Sequence, residues 1–297
     1  MTDETPEASL VEIRSLLDAL PAAPDAGEPM PDASGLLGAL RHWLAVWQGR
    51  EAPRLDRPRL AVFLGSAGGK AGIAAAQEIV AAFQAGTATA ARLAPAYDAE
   101  LRLYEMALGA SAGDGDDGGD ALSDAACATA MAYGMTAVDD GVDLLCIAAA
   151  GPSVDRAAAA LCTALYGPDL IDPPTALGDV AAEADPLAAL RRHGGHAMAA
   201  AAGAIIAARM GRVPVLIDGF AATAAAAALH RLDASILDHC LVAHASPAPG
   251  NRRLLELLDK EALLDLGIAS EDGSGALVAL GILRGALASH GYSDDAP

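Results

Sequence analysis

The stretch that decides the fold is VPVLID (213–218), followed at once by Gly219-Phe220 and then by AATAAAAAL (221–229). A short run rich in β-branched residues, with no polar face, reads as a strand covered on both sides. The alanine run behind it reads as a helix, and the Asp-Gly pair marks the junction between them. Working outward, five more runs have the same character: Leu60–Gly65, Leu101–Ala107, Val142–Ala150, Leu237–Ala243 and Leu263–Ile268. Ala-rich helical stretches separate most of them. Strands that alternate with helices, each strand apolar on both faces, predict an α/β fold. Its core is a doubly wound, mainly parallel sheet flanked by helices, with right-handed crossovers.

At the ends of the chain the pattern differs. Residues 6–20 read as an amphipathic helix, Pro21–Ser34 as a Pro/Asp/Gly linker, and 36–48 as a second helix with Trp43 and Trp47 on one packing stripe. The last helix is expected over Gly275–Ser289. This gives an expected division into N-terminal helices (1–50), a parallel-sheet domain (57–272) and a C-terminal helix with its tail (273–297), the two ends forming a small helical lobe. Gly109–Asp120 and Pro168–Asp185 are expected to be weakly structured.

Composition narrows the function classes. Of the 297 residues, 53% are hydrophobic and only 3% aromatic, so a large core is available but must close by tight backbone approach rather than by big rings. Disorder of the whole chain is excluded. Lys and Arg number 19 against 39 Asp and Glu, a formal charge of −20, so nucleic acid and membrane surfaces are not expected partners. Cys127, Cys146, Cys162 and Cys240 are widely spaced without a CxxC pair, which indicates neither zinc nor a redox couple. The acidic start MTDETPEASL does not read as a signal peptide, and no apolar run is long enough to span a bilayer; a cytoplasmic location is expected.

In an open parallel sheet, ligands bind beyond the carboxyl ends of the strands, so each strand–loop junction is a candidate site. Gly65-Ser-Ala-Gly-Gly-Lys70-Ala-Gly72 lacks the first glycine and the hydroxyl of a P-loop and reads as a tight turn. Asp114–Asp120 is acidic but has Ala125 where a calcium hand needs Glu, so a solvated loop is expected. His193-Gly-Gly-His196 offers two of the ligands a metal needs and lacks the rest. Neither a metal nor another cofactor is expected. Asp218 ends a strand, where it either caps a helix or holds a ribose hydroxyl. His244 and Ser246 end another, either lining a polar pocket or satisfied in the core. Asp272-Gly273-Ser274-Gly275 precedes the last helix; two glycines, a hydroxyl and free helix N–H groups make either a phosphate cradle or a serine-capped turn.

Taken in order, four stretches carry a family resemblance: DPLAALRRHGG (185–195), AGAIIAARMGRVPVLIDGFAATAAA (202–226), LDHCLVAHASPAPGNRRLLELL (237–258) and LLDLGIASEDGSGALVALGILRGALA (263–288). GLLGALRHWLAVWQG (35–49), RPRLAVFLG (57–65), VAAFQAGTATAARLA (80–94) and GVDLLCIAAAG (141–151) extend it upstream. The chain resembles the nicotinate-nucleotide–dimethylbenzimidazole phosphoribosyltransferase family. The resemblance implies a dimeric α/β protein that displaces nicotinate from nicotinate mononucleotide by a benzimidazole nitrogen, a Glu taking the proton. It also implies that Gly273, Ser274 and Gly275 hold the phosphate, and that Asp218, His244 and Ser246 belong to the substrate site.

Several family features are missing. The benzimidazole-lining stretch after the first strand is shortened to Gly69–Glu78, and Ala149–Arg156 stands where the family has Glu-Met-Gly-Ile-Gly-Asn-Thr-Thr. A Gly-Arg-Gly-Thr-Gly segment has no counterpart in Pro168–Glu183, and Ala248 and Asn251 replace a Glu and a His. The catalytic Glu belongs past the last helix, where this chain has His290–Pro297 with Asp294 and Asp295. No catalytic residue is therefore assigned. The expectation is a degenerate paralogue with weak or no transferase activity, forming a homodimer or pairing with an intact paralogue, with nicotinate mononucleotide or a related phosphate as ligand. The alternative is an active phosphoribosyltransferase of cobalamin biosynthesis, with Glu105 or His244 as base.

Overall fold

The computed structural model describes residues 9–25, 35–66, 69–106, 121–171, 177 and 180–289. Six strands lie in one sheet: β1 (Pro58–Leu64), β2 (Glu100–Glu105), β3 (Leu144–Ala150), β4 (Val215–Asp218), β5 (Cys240–His244) and β6 (Ala262–Leu264). Their order is β2-β1-β3-β4-β5-β6, and every neighbouring pair is parallel. The helices are α1 (Leu10–Asp18), α2 (Leu36–Gln48), α3 (Gly69–Gln84), α4 (Thr89–Leu93), α5 (Asp124–Met135), α6 (Val154–Tyr166), α7 (Pro186–Ala189), α8 (Gly195–Met210), α9 (Phe220–Leu232), α10 (Asn251–Leu257) and α11 (Ser274–Ala288). The α/β architecture read from the strand runs is the one found.

Alternation along each strand sorts its side chains to two faces. Ala61, Phe63, Leu145, Ile147, Val215 and Ile217 pack with Ile13 of α1 and with α5, α6, α8 and α9. Leu60, Val62, Leu64, Leu144, Cys146 and Leu216 pack with α2, α3, α4 and α11. Both faces of the inner strands are thus covered, as a parallel sheet requires. The edges depart from that rule: β2 is mostly half-exposed and β6 half-exposed throughout, because each lacks a neighbour on one side. The run Leu263–Ile268 is extended only as far as Leu264, since the His244 ring takes the N–H groups of Leu266 and Ile268 at 3.0 and 3.3 Å and pulls them away from strand pairing. Helix α2 spans the residues its sequence pattern marks, with Trp47 buried and Trp43 half-buried.

The scarcity of aromatics has a direct structural consequence. Helices α5 and α8 approach until Gly134 lies against the backbone of Ala200, and Gly203 against that of Met131. A Cβ placed on either glycine would lie 1.9 Å from a carbonyl oxygen. Neither oxygen belongs to a side chain able to swing aside, so the helices themselves must separate.

Gly109–Asp120 as a whole and the tail His290–Pro297 with Asp294 and Asp295 lie outside the described residues, as do residues 172–176, 178 and 179 of Pro168–Asp185, a segment that opens with a 3-10 turn at Pro168–Leu170. Among the described residues no helix is long and apolar enough to cross a membrane.

Gly203→Ala should lower the unfolding free energy by roughly 2–3 kcal/mol or more. Urea unfolding of the two proteins side by side measures it; an unchanged midpoint would show that α5 and α8 are not in backbone contact.

Candidate functional site

Between β1 and β3 the chain reverses its direction of travel across the sheet, the place where open α/β sheets leave a crevice. Here that mouth is bridged by backbone. The Gly65 N–H donates to the Ala150 carbonyl at 3.0 Å, and a Cβ on Gly151 would lie 2.3 Å from the Gly65 carbonyl oxygen. Gly151, with φ of 138°, is thus needed both for its conformation and for the contact.

The polar cluster lies beside it, at the carboxyl ends of β4 and β5. Asp218 is the last residue of β4 and is 4% exposed. Its carboxyl accepts from the backbone of Gly275 and Ala276 in the first turn of α11. Gly275 makes room for it, because a Cβ there would lie 2.4 Å from the Asp218 Oδ1 and 2.8 Å from the His244 Cβ. The helix that directly follows Asp218, α9, is capped by a different acid. Glu271 Oε2 accepts from the Phe220 N–H at 2.9 Å and also takes the Ala221 N–H, while its Oε1 accepts from the Ser246 hydroxyl at 2.6 Å. Asp218 and Glu271 therefore each hold the N-terminus of a helix that is not their own continuation. A carboxylate is favoured at a helix N-terminus by the exposed N–H groups and by the helix dipole.

The remaining groups complete the arrangement. Asp272 accepts from the Ser274 N–H at 3.1 Å through Oδ1 and from the Ala90 N–H at 2.9 Å through Oδ2, tying the turn to α4. Gly273 is the N-cap of α11 with φ of 90°, packed on Leu60, so the serine-capped reading of this turn is corrected: glycine caps, and Ser274 is the first helical residue. The Ser274 hydroxyl is buried and shares a hydrogen bond of 2.8 Å with Ser270. Ser246 also accepts from the Ala248 N–H, and Asn251 donates to the Ser246 carbonyl.

Burial pushes the Asp218 carboxyl up from 3.8 to about 7, reinforced by the negative charges of Glu271 and Asp272 and opposed by the two helix N–H groups. Glu271 is also raised, first by burial and then by Asp155, whose carboxyl faces it in hydrogen-bond contact; Asp155 is raised in turn. Two carboxyls in such contact share a proton more readily than they hold two charges.

Asp218, His244, Ser246, Gly273, Ser274 and Gly275, marked separately in the sequence, thus converge in one place. His244 is the satisfied buried histidine: Nε2 accepts from two backbone N–H groups, and burial lowers its affinity for a proton. That occupies the nitrogen a base would use. Glu105 closes edge strand β2, with β1 and β3 between it and β4. Two acids of the cluster, Glu271 and Asp155, were not assigned from sequence. The signal available was an extra carboxylate directly before Asp272-Gly273-Ser274-Gly275. His193 sits in a π-helical turn (Leu190–Gly194) and His196 in the first turn of α8; no group of three or more metal-ligating side chains occurs among the described residues.

An all-parallel sheet with a polar cluster beyond its carboxyl edge is the layout of the doubly wound α/β enzymes. A family model described as phosphoribosyltransferase matches residues 25–178 and 174–294. The nicotinate-nucleotide–dimethylbenzimidazole phosphoribosyltransferase of Rhizobium leguminosarum bv. trifolii is 43% identical over 286 residues, covering 88% of this chain and 84% of its own. The enzyme of the same name from Allorhizobium ampelinum is 41% identical, covering 92% and 88%. A crystal structure of the Thermus thermophilus enzyme superposes with a TM-score of 0.74 at 26% identity, covering 93% of each chain. The chain belongs to the nicotinate-nucleotide–dimethylbenzimidazole phosphoribosyltransferase family.

An acid whose pKa is raised on folding binds its proton more tightly in the folded state. Its contribution is fully present below the unfolded pKa and is lost as pH rises through the folded one. Unfolding free energy should therefore fall by ~2–4 kcal/mol between about pH 4 and pH 7 on account of Asp218, then level off. Asp218→Asn should remove that part of the slope. Urea unfolding across this range checks it; parallel pH profiles for the two proteins would contradict the assignment.

Proposed function

We propose that this chain is a degenerate member of its family, with weak or no transferase activity and with its phosphate cradle filled from within. The observation that carries the reading is the position of two of its own carboxyls on the two helix N-termini of the site. Asp218 takes the N–H groups at the start of α11, and Glu271 those at the start of α9. A substrate phosphate brought to either helix end would meet a carboxyl instead of free donors, and like charges at contact distance repel strongly in a buried setting. The run Ala149–Arg156 supports the reading too, supplying Ala149, Val154, Asp155 and Arg156 at the positions where the family resemblance calls for a carboxylate, an amide and two hydroxyls. Removing a general base costs about 10²–10⁴ in rate, and losing preorganised donors removes more.

In this reading Gly273, Ser274, Gly275, Asp218, His244 and Ser246 mark the family's substrate region, and nicotinate mononucleotide or a related phosphate is at most a weak ligand there, because the chain's own carboxyls take the donors. A cytoplasmic homodimer, or a heterodimer with an intact paralogue, is the assembly proposed. The proposed division into a sheet unit (57–272) and helical ends (1–50 and 273–297) draws on the packing of α2 on α11, but α11 also packs on the sheet and α1 lies on the sheet's opposite face.

The second reading is an active enzyme of cobalamin biosynthesis that moves ribose phosphate from nicotinate mononucleotide to a benzimidazole-type base. The 43% identity to the Rhizobium enzyme favours it. Its base would be Glu271, a buried carboxyl whose proton affinity is raised by burial and by Asp155, rather than Glu105 or His244.

Purified protein incubated with nicotinate mononucleotide and 5,6-dimethylbenzimidazole separates the two. The degenerate reading expects no α-ribazole phosphate above a Ser274→Ala/Asp218→Asn control; clear excess over that control overturns it. Glu271→Gly, which frees the start of α9, should bind nicotinate mononucleotide at least about tenfold more tightly than the wild type in calorimetric titration. An unchanged or weaker affinity would mean that Glu271 does not obstruct the anion.

A further inference from the structure

At the amino-terminal edge of the sheet, opposite the Asp218–Glu271 cluster, a buried cation borders a cavity. Arg209, near the end of α8, is 3% exposed, and its guanidinium lies 4.7 Å from the centre of the Trp47 ring. No described residue accepts a hydrogen bond from its Nε or Nη1, both of which are buried. A buried, unpaired guanidinium N–H carries a substantial desolvation cost, so such groups normally have a partner. Arg209 lines a cavity of about 710 Å³ formed between the end of α1 and the segment joining α9 to β5. That volume is in the range of small-molecule sites.

The rest of the lining describes the occupant. Leu17, Leu20, Leu232 and Ile236 make an apolar wall. Arg14, also at the cavity, is already paired with Asp185, whereas Arg209 has Asp233 and Asp238 near it but no hydrogen-bond acceptor for Nε or Nη1 among the described residues. Asp18, Asp233 and Asp238 line the same cavity; Asp233 and Asp238 already favour the Arg209 charge, and the three together oppose an anionic ligand, most strongly one carrying several negative charges. We propose that this cavity binds a small monocarboxylate with an apolar or aromatic body, its carboxylate on Arg209 and its body against the leucine and isoleucine wall. The site lies on the far side of the sheet from the family's substrate region and stands whether or not transferase activity is retained.

Trp47 reports on it directly. The chain has two tryptophans, so Trp43→Phe leaves Trp47 as the sole indole beneath the guanidinium. Titrating this full-length protein with benzoate should give a saturable change in Trp47 fluorescence, and inorganic phosphate should bind at least about tenfold more weakly. Arg209→Met should weaken benzoate binding at least about tenfold, with Arg209→Lys intermediate. Should Arg209→Met fail to fold, Ile236→Trp in the otherwise wild-type protein fills the cavity while leaving Arg209 and Trp47 in place. Benzoate binding, read there by calorimetry, should likewise be lost. Absence of saturable benzoate binding to the parent protein, binding that survives both the arginine and the cavity-filling variants, or tighter binding of phosphate than of benzoate would each overturn the proposal.

Discussion

The carboxyl of Glu271 against the start of α9 organises everything at the functional edge of this protein. It answers two helix N–H groups that the fold would otherwise leave open, and it holds the Ser246 hydroxyl at the end of β5. Through Asp155 it reaches the helix that follows β3. Asp218 performs the corresponding task for α11. Together they knit the ends of β3, β4 and β5 to α6, α9 and α11. Elsewhere a helix N-terminus at the carboxyl edge of a parallel sheet is a ready anion site. Here the protein's own carboxyls take that place, and burial makes them hold their protons more tightly than usual.

The same economy of space runs through the core. With few aromatic rings, the helices close by backbone contact, as at Gly134 and Gly203, and the β1 and β3 ends close through Gly65 and Gly151. Each of these contacts leaves no room for a side chain. The glycine of the Gly273–Gly275 turn obeys the same rule: Gly275 is small because a carboxylate of the protein itself packs on it. A glycine-rich turn at a helix start is thus ambiguous by nature, since close approach by a ligand and close approach by another part of the chain demand the same residue.

That ambiguity sets how far the sequence could be read. The strand runs were legible because inner strands of a parallel sheet are apolar on both faces, and the edges β2 and β6 deviated for want of a neighbour. The residues Asp218, His244, Ser246 and Ser274 were legible as a set because each ends a strand or opens a helix on the same edge. Their partners were not. Nothing in the local pattern says that Asp218 caps α11 rather than α9, or that Glu271, more than fifty residues later, caps α9 in its place. Those are long-range pairings created by the order of the strands. His244 was open between pocket and core for the same reason, and only the loop at Leu266–Ile268 shows that its Nε2 is spent on backbone N–H groups.

The most direct test of self-occupation is a carbon-13 NMR titration of the carboxyl resonances of Asp155, Asp218 and Glu271 in the folded protein. The account requires Asp218 to titrate at about 7 and the other two to titrate above their ordinary values, with the Asp155 and Glu271 curves linked. Three independent curves at ordinary carboxylate values would mean that these groups lie in water and that the helix ends they are said to fill stand open.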